Sequence, residues 1–344
     1  MYLDPKSAAG FRCDEAPCAA ETAGLRHFQF LLLPGANMLD FTAAIEPFRV
    51  LNSLTAAPAY SWSVVSETGE PVACSNGISF PVGGPLAAAR QPDCLVVCSG
   101  GSGYMEASAQ TLQWLRRHVR FGGAVAAIGT GAFTLARAGL AADADLTLHW
   151  SLFPVFEETF QDINCRNART LSGDTFSCSA GGSASLDFAL SAIQEDFGFE
   201  TARRVAEFCL HDFGTDHSRA QRHPVSKRVG SRHPAIVSLV NKMEQTIHSP
   251  VPLSDLVREE SISMRQIERL FKRHLETTPL QYYRNLRLDR ARALLLGTDM
   301  SILETAVATG FTSVANFSKH YCRRFGERPT ADRKAVASRS APSC

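Results

Sequence analysis

Between residues 26 and 213, short apolar runs alternate with stretches whose apolar positions recur every three or four residues. The runs at 27–33, 60–66, 94–98, 124–128 and 175–178 predict strands, and the periodic stretches at 40–51, 107–121, 131–138, 150–160 and 183–196 predict helices. Strands that alternate with helices fit a mostly parallel sheet covered on both faces, which is a three-layer, flavodoxin-like α/β domain. Four strands run into turns of small residues: Leu33-Pro34-Gly35, Cys98-Ser99-Gly100-Gly101, Ile128-Gly129-Thr130-Gly131 and Ser179-Ala180-Gly181-Gly182. Ligands of such sheets bind beyond the carboxyl ends of the strands, so these turns are expected to converge on one crevice.

The pattern changes after residue 213. Residues 214–233 show no periodicity and read as a polar, basic linker, and from 234 to 337 every apolar stripe is helical. Two helix-turn-helix units are expected in this all-α domain. The first pairs 253–259 with 263–274 across Glu260-Ser261-Ile262; the second pairs 302–309 with 313–325 across Gly310-Phe311-Thr312. Ile267, Leu270, Phe271 and Leu275 form the inner stripe of one reading helix, and Phe317, Tyr321 and Phe325 that of the other. Ser263, Met264, Arg265, Gln266 and Arg269 then fall outward on the first, with Ser313, Val314, Asn316 and Lys319 on the second. Arg and Gln can address guanine and adenine edges with two hydrogen bonds. A helix over 279–296 lies between the units and spans ~27 Å at 1.5 Å per residue, which suits two reading helices held about one duplex turn apart.

Charge supports this division. Residues 1–213 hold 13 Lys and Arg against 22 Asp and Glu, whereas 231–344 hold 18 against 11, so a net charge of +1 conceals an acidic body and a basic C-terminal third. That asymmetry is a footprint of nucleic-acid binding. Cys74, Cys94, Cys98, Cys165, Cys178, Cys209 and Cys322 sit mostly in apolar surroundings with no metal-ligand spacing, and read as buried thiols of a reducing cytosol without a metal site. Residues 1–25 read as a disordered tail, not a signal peptide, and 338–344 as a second tail. No run approaches a membrane span, so a soluble cytoplasmic protein is expected.

The C-terminal hundred residues resemble the AraC/XylS-type regulators. The resemblance is carried by Ser263-Met264-Arg265-Gln266-Ile267-Glu268-Arg269-Leu270-Phe271, Thr278-Pro279-Leu280-Gln281-Tyr282-Tyr283, Arg287-Leu288-Asp289-Arg290-Ala291-Arg292, Thr309-Gly310-Phe311 and Phe325-Gly326-Glu327-Arg328-Pro329. Ser261 and Glu276 stand where that family commonly has Gly. Residues 26–213 resemble the PfpI-type branch of the class I glutamine amidotransferase-like fold, through Leu33-Pro34-Gly35, Met38-Leu39-Asp40-Phe41, Gly129-Thr130-Gly131-Ala132-Phe133, Thr147-Leu148-His149-Trp150 and Cys178-Ser179-Ala180-Gly181-Gly182-Ser183. Together the two parts resemble the GlxA-type regulators.

The enzymes of that fold carry a cysteine nucleophile on a strand-to-helix elbow, and here that position is Gly129. Without a thiolate the covalent chemistry lacks its attacking atom, so no catalytic residue and no cofactor are expected. The binding half of such a site remains. Gly129 and the Thr130 N–H could receive a carboxylate, with Gly101 and Ser183 on the converging turns. Asp40 and Glu46 could meet a cation, Trp150 could stack on it, and His149 could hydrogen-bond. Each has a plainer reading beside this: Asp40 and Glu46 as helix caps, Trp150 as core, His149 as a structural histidine.

The resemblance implies a regulator of a catabolic operon, most readily an activator, that responds to a zwitterionic nitrogen compound of the amino acid, carnitine or betaine type. It would act as a homodimer on an operator in double-stranded DNA, beside RNA polymerase. The alternatives are a constitutive DNA-binding protein whose N-terminal domain only dimerises, and an active hydrolase or hydratase joined to a DNA-binding domain, which Gly129 disfavours.

Overall fold

The computed structural model describes residues 25–340 except 89–90, 101–106, 143, 215–219, 223, 248 and 261. Its N-terminal part contains β1 (Arg26–Leu32), α1 (Met38–Leu54), β2 (Tyr60–Val65), β3 (Val72–Ala73), β4 (Ser79–Phe80), β5 (Cys94–Ser99), α2 (Ala109–Arg120), β6 (Ala124–Gly129) and α3 (Gly131–Arg137). A 3₁₀ turn (Leu86–Ala88) precedes β5; after α3 follow another 3₁₀ turn (Trp150–Leu152), α4 (Phe153–Thr159), β7 (Thr170–Leu171), β8 (Phe176–Ser179), α5 (Ala184–Phe197) and α6 (Phe199–Phe208). The main sheet runs β2-β1-β5-β6-β8-β7, and every pair is parallel except β7 with β8.

The central strands β5 and β6 are nearly continuous apolar runs because both faces of the sheet are covered there. Phe28, Phe30 and Leu32 of β1 point into a core shared with Phe41 and Phe48 of α1 and Phe188 and Ile193 of α5. The alternate residue Leu31, with Leu33 beyond the strand, packs on the other face with Leu115, Phe133 and Phe156. The five strands and five helices expected from the pattern are present, with ends moved by a few residues. Five elements are additional among the described residues: the 3₁₀ turn Leu86–Ala88, the two-residue strands β3, β4 and β7, and α6.

The C-terminal part is helical: α7 (Val225–Arg228), α8 (Pro234–Gln245), α9 (Leu253–Arg258), α10 (Met264–Leu275), α11 (Pro279–Gly297), α12 (Ile302–Ala308), α13 (Val314–Phe325) and α14 (Pro329–Ser340). It has two cores. Ile267 and Phe271 of α10 pack with α8 and α9, and Phe317 and Tyr321 of α13 pack with Leu288, Ala291 and Leu295 of α11. α7 lies within the stretch expected to be an irregular linker. Val225 and Val229 are buried in the first helical core, so this stretch is part of the C-terminal packing. α14 also runs past residue 337, into the expected tail.

Candidate ligand crevice and nucleic-acid interface

The carboxyl ends of β1, β5, β6 and β8 are neighbours in the sheet, and the turns that follow them touch. Leu33 N–H donates to the Cys98 carbonyl at 3.0 Å. A Cβ built on Gly100 would lie 2.5 Å from the Gly35 carbonyl oxygen, so only glycine fits this crossing. Gly129 forms the elbow with φ +61, a left-handed conformation that disfavours any side chain.

Asp40 enters the crevice from the first turn of α1. Its Oδ1 accepts the Gly182 N–H at 2.6 Å. Its Oδ2 would lie 2.6 Å from a Cβ on Gly129 and 2.5 Å from one on Gly181. The carboxyl therefore fills the volume that an elbow side chain would need. Asp40 is 5% exposed, and burial pushes its pKa up to about 6, against the lowering influence of the Gly182 N–H. It does not cap the helix: Asn37 does, its Oδ1 accepting from Leu39 N–H at 3.0 Å. The hydroxyls of Ser99 and Thr130 are buried beside the elbow and have no hydrogen-bond partner among the described residues.

Ser183 is exposed at the head of α5 and makes no side-chain cap. Arg169 Nη2 stands 3.5 Å from its Oγ, while Arg169 Nε donates to Asp187 Oδ2 at 2.7 Å. The opposite oxygen of Asp187 lies 2.6 Å from His211 Nε2. Arg169 thus places a positive group at the Gly181–Ser183 turn whose other side holds Asp40. Nothing in the local pattern marked it, because it lies in an aperiodic stretch just before β7.

Other expected ligand residues are placed differently. Glu46 is exposed and paired with Arg49 at 2.7 Å; six positions beyond Asp40 on a helix, it faces away from the crevice. Thr130 heads α3 without a side-chain capping bond. His149 caps the 3₁₀ turn, its Nδ1 2.7 Å from Ser151 Oγ. Trp150 is not core: it is 39% exposed, and the guanidinium of Arg222 lies 4.4 Å from its ring centroid. Gly101 lies outside the described residues. Cys322 is exposed, unlike the buried Cys74, Cys94, Cys98 and Cys178. Among the described residues no cluster of His, Cys, Asp or Glu is arranged to hold a metal ion, and no helix is long and apolar enough to cross a membrane.

In the helical part, α9 and α10 make the first helix-turn-helix unit, α12 and α13 the second. α11, with 19 residues, is ~28 Å long at 1.5 Å per residue. Ser263 and Ser313 cap the two reading helices by accepting the N–H of Gln266 and Asn316. Arg265 and Arg269 are exposed on α10, as are Asn316 and Lys319 on α13. Gln266 is exposed as expected but is engaged locally, and Met264 and Val314 lie less far out than expected. Gln266 folds back on its own cap, its Oε1 accepting from Ser263 N–H at 2.8 Å to complete a capping box. Met264 and Val314, each the first residue of its helix, are partly buried against the two helical cores.

A basic cluster went unread in the sequence. His320 lies near Arg284 of α11 and Lys319 and Arg323 of α13; desolvation, followed by these charges, holds its imidazole below the ordinary value. By contrast, Arg287 is structural. Its Nε donates to the Thr309 carbonyl at 2.7 Å, Nη2 donates to the Gly310 carbonyl, and the guanidinium stacks on Phe311 at 4.3 Å, which fastens the second turn to α11.

Residues 29–195 match the DJ-1/PfpI family and residues 256–335 a helix-turn-helix domain family. The chain is 37% identical over 319 residues to the HTH-type transcriptional regulator CdhR of Pseudomonas aeruginosa, covering 92% of this chain and 94% of that one. It is 34% identical to the HTH-type transcriptional regulator GlxA of Rhizobium meliloti, covering 93% and 99%. A THiJ/PfpI family protein from Pseudomonas syringae shares the fold of 69% of this chain and 93% of its own, with a TM-score of 0.52 and 18% identity. On sequence, on fold and on its paired reading helices, the chain belongs to the HTH-type transcriptional regulators that join a DJ-1/PfpI domain to an AraC-type DNA-binding domain.

Proposed function

We propose that the DJ-1/PfpI domain is an effector sensor with no catalytic activity, and that its crevice takes a small zwitterionic nitrogen compound. The observation that carries this reading is the position of Asp40. A buried carboxyl occupies the volume of the missing elbow side chain, and Arg169 supplies the opposite charge across the Gly181–Ser183 turn. The effector's cation is assigned to Asp40 and to the Trp150 face, and its carboxylate to the Arg169 side of the turn and the Thr130 N–H. The chain then acts in the cytoplasm as a homodimeric activator of a catabolic operon, presenting Arg265, Arg269, Asn316 and Lys319 to operator DNA and contacting RNA polymerase.

A thermal-shift screen of amino acids, carnitine and betaines against the full chain tests the assignment. At least one zwitterion should raise the midpoint, and Asp40→Ala and Arg169→Gln should each abolish that rise. No shift with any of them, or a shift retained in both variants, refutes the pocket.

A further inference from the structure

The segment that joins the two domains is fastened to the sensor at the foot of Trp150. Gln221 is held there through both ends of its amide. Its Nε2 lies 2.8–3.0 Å from Thr147 Oγ1 and the carbonyls of Leu148 and Ala168, which share its two N–H groups, and its Oε1 accepts the Trp150 N–H at 2.8 Å. Its neighbour Arg222 lays its guanidinium on the Trp150 ring at 4.4 Å and reaches Glu244 of α8 at 3.9 Å. The two partners belong to different domains, so this one side chain bridges them.

Arg222 is loosely held. Arg228 already engages Glu244 with two short bonds, at 2.6 and 2.7 Å, and its positive charge opposes that of Arg222. Beside that shared, longer ion pair at 3.9 Å, Arg222 is held by cation–π contact with a ring that is still 39% exposed. Any better-matched cation arriving from solvent competes directly for that face.

The same stretch of chain also carries another contact between the domains. α4 follows the 3₁₀ turn of Trp150 without a break, and Arg290 of α11 is nearly buried against it, 3.9 Å from Glu157. Ala293 of α11 packs on the sensor core. A change at Trp150 is therefore one helix away from the helix that joins the two reading heads.

We infer that Arg222 is a built-in competitor for the effector's cationic group: a quaternary ammonium or guanidinium ion that takes the Trp150 face expels Arg222 and opens the contact between sensor and DNA-binding domain. This rests on the assignment of the effector cation to Trp150. It adds that the protein's own arginine covers the Trp150 face, so that binding and domain release are one exchange. A ligand shifts such an equilibrium only by its differential affinity for the two states, and direct displacement supplies that difference.

Tetramethylammonium chloride is a suitable probe, titrated into the full chain at constant ionic strength with tryptophan fluorescence as readout and hydrogen exchange of 220–230 and of α4 in parallel. Arg222→Gln should bind the probe about three- to thirty-fold more tightly than the unaltered chain, the range that a single cation–π contact spans. Arg222→Lys, which keeps the charge and loses the planar stack, should fall between. The probe should speed exchange in the unaltered chain to the level that Arg222→Gln shows without it. If Arg222→Gln binds no more tightly while Trp150→Ala loses binding, the site stands and the competitor role is wrong. If Trp150→Ala binds as well as the unaltered chain, the effector assignment to Trp150 fails and the exchange mechanism fails with it.

Discussion

Replacing Asp40 by Asn should stabilise the sensor domain, and the size of the gain should depend on pH in a way that identifies its cause. The folded protein holds Asp40 as a protonated acid up to about pH 6, whereas in the unfolded chain the group ionises near its ordinary 3.8. At about 1.4 kcal/mol per pH unit, that difference amounts to an ionisation penalty of about 3 kcal/mol in the folded state. The sign follows from linkage: the folded state binds the extra proton, so the favourable contribution is complete below pH 4 and is lost as pH rises through 6. Asn presents the same carbonyl oxygen to the Gly182 N–H and never ionises. Asp40→Asn should thus match the unaltered chain at pH 4 and exceed it by up to about 3 kcal/mol at pH 8, or roughly 6–12 °C in the midpoint for a domain of this size. Urea unfolding of the full chain, followed in the sensor transition at pH 4, 5, 6, 7 and 8, measures the difference. A gap that does not change with pH, or a loss of stability at pH 8, would refute the buried, ionisation-resistant carboxyl.

Three further outcomes follow from the same geometry. Effector affinity, which needs Asp40 ionised, should rise with pH through about 6 and level off above 7, and a calorimetric profile flat from pH 5 to 8 excludes Asp40 as the cation's partner. Gly129→Cys should lower stability by roughly 2–4 kcal/mol, since a side chain there meets both a left-handed backbone and the Asp40 carboxyl; chemical denaturation that finds the variant neutral would show that Asp40 yields freely. Glu276 closes α10 with φ +53, so Glu276→Gly should raise the unfolding free energy of the C-terminal domain by up to about 1 kcal/mol in chemical denaturation, and a drop would mean that the carboxylate holds a contact worth more than the strain.

Much of this was legible before the structure, for identifiable reasons. Strands buried on both faces are nearly uninterrupted apolar runs, so β5 and β6 stood out, and β1, β2 and β8 were readable from their apolar residues despite Gln29, Ser61, Ser63 and Ser177, while two-residue strands such as β3 and β7 contain no period to detect. The elbow was readable from Gly129 because the missing thiol is a property of one position. Asp40 was readable only as an acid near the site. Its role depends on residues 40, 129 and 181 meeting in space, which spacing along the chain does not encode. The same holds for Arg169, and for Arg222, whose stack on Trp150 lies 72 positions away in sequence. Gln266 is different. Ser263-x-x-Gln266 is a capping-box pattern, and the sequence held the signal that its side chain serves the helix end. Met264 and Val314 show the remaining difficulty: the first residue of a helix sits where the inner stripe and the outer face meet, and a turn's geometry decides between them.

We infer that one protomer reads two successive major grooves through α10 and α13. Footprinting on DNA selected by the full chain from a random pool, at fixed salt, tests it most directly. Two protected segments should appear about one helical turn apart per protomer. Arg265→Ala should erase one and relax its base preference at a cost on the order of 1–3 kcal/mol, and Lys319→Ala should weaken the other. A single protected groove, or two variants that bind and protect as the unaltered chain does, would contradict it.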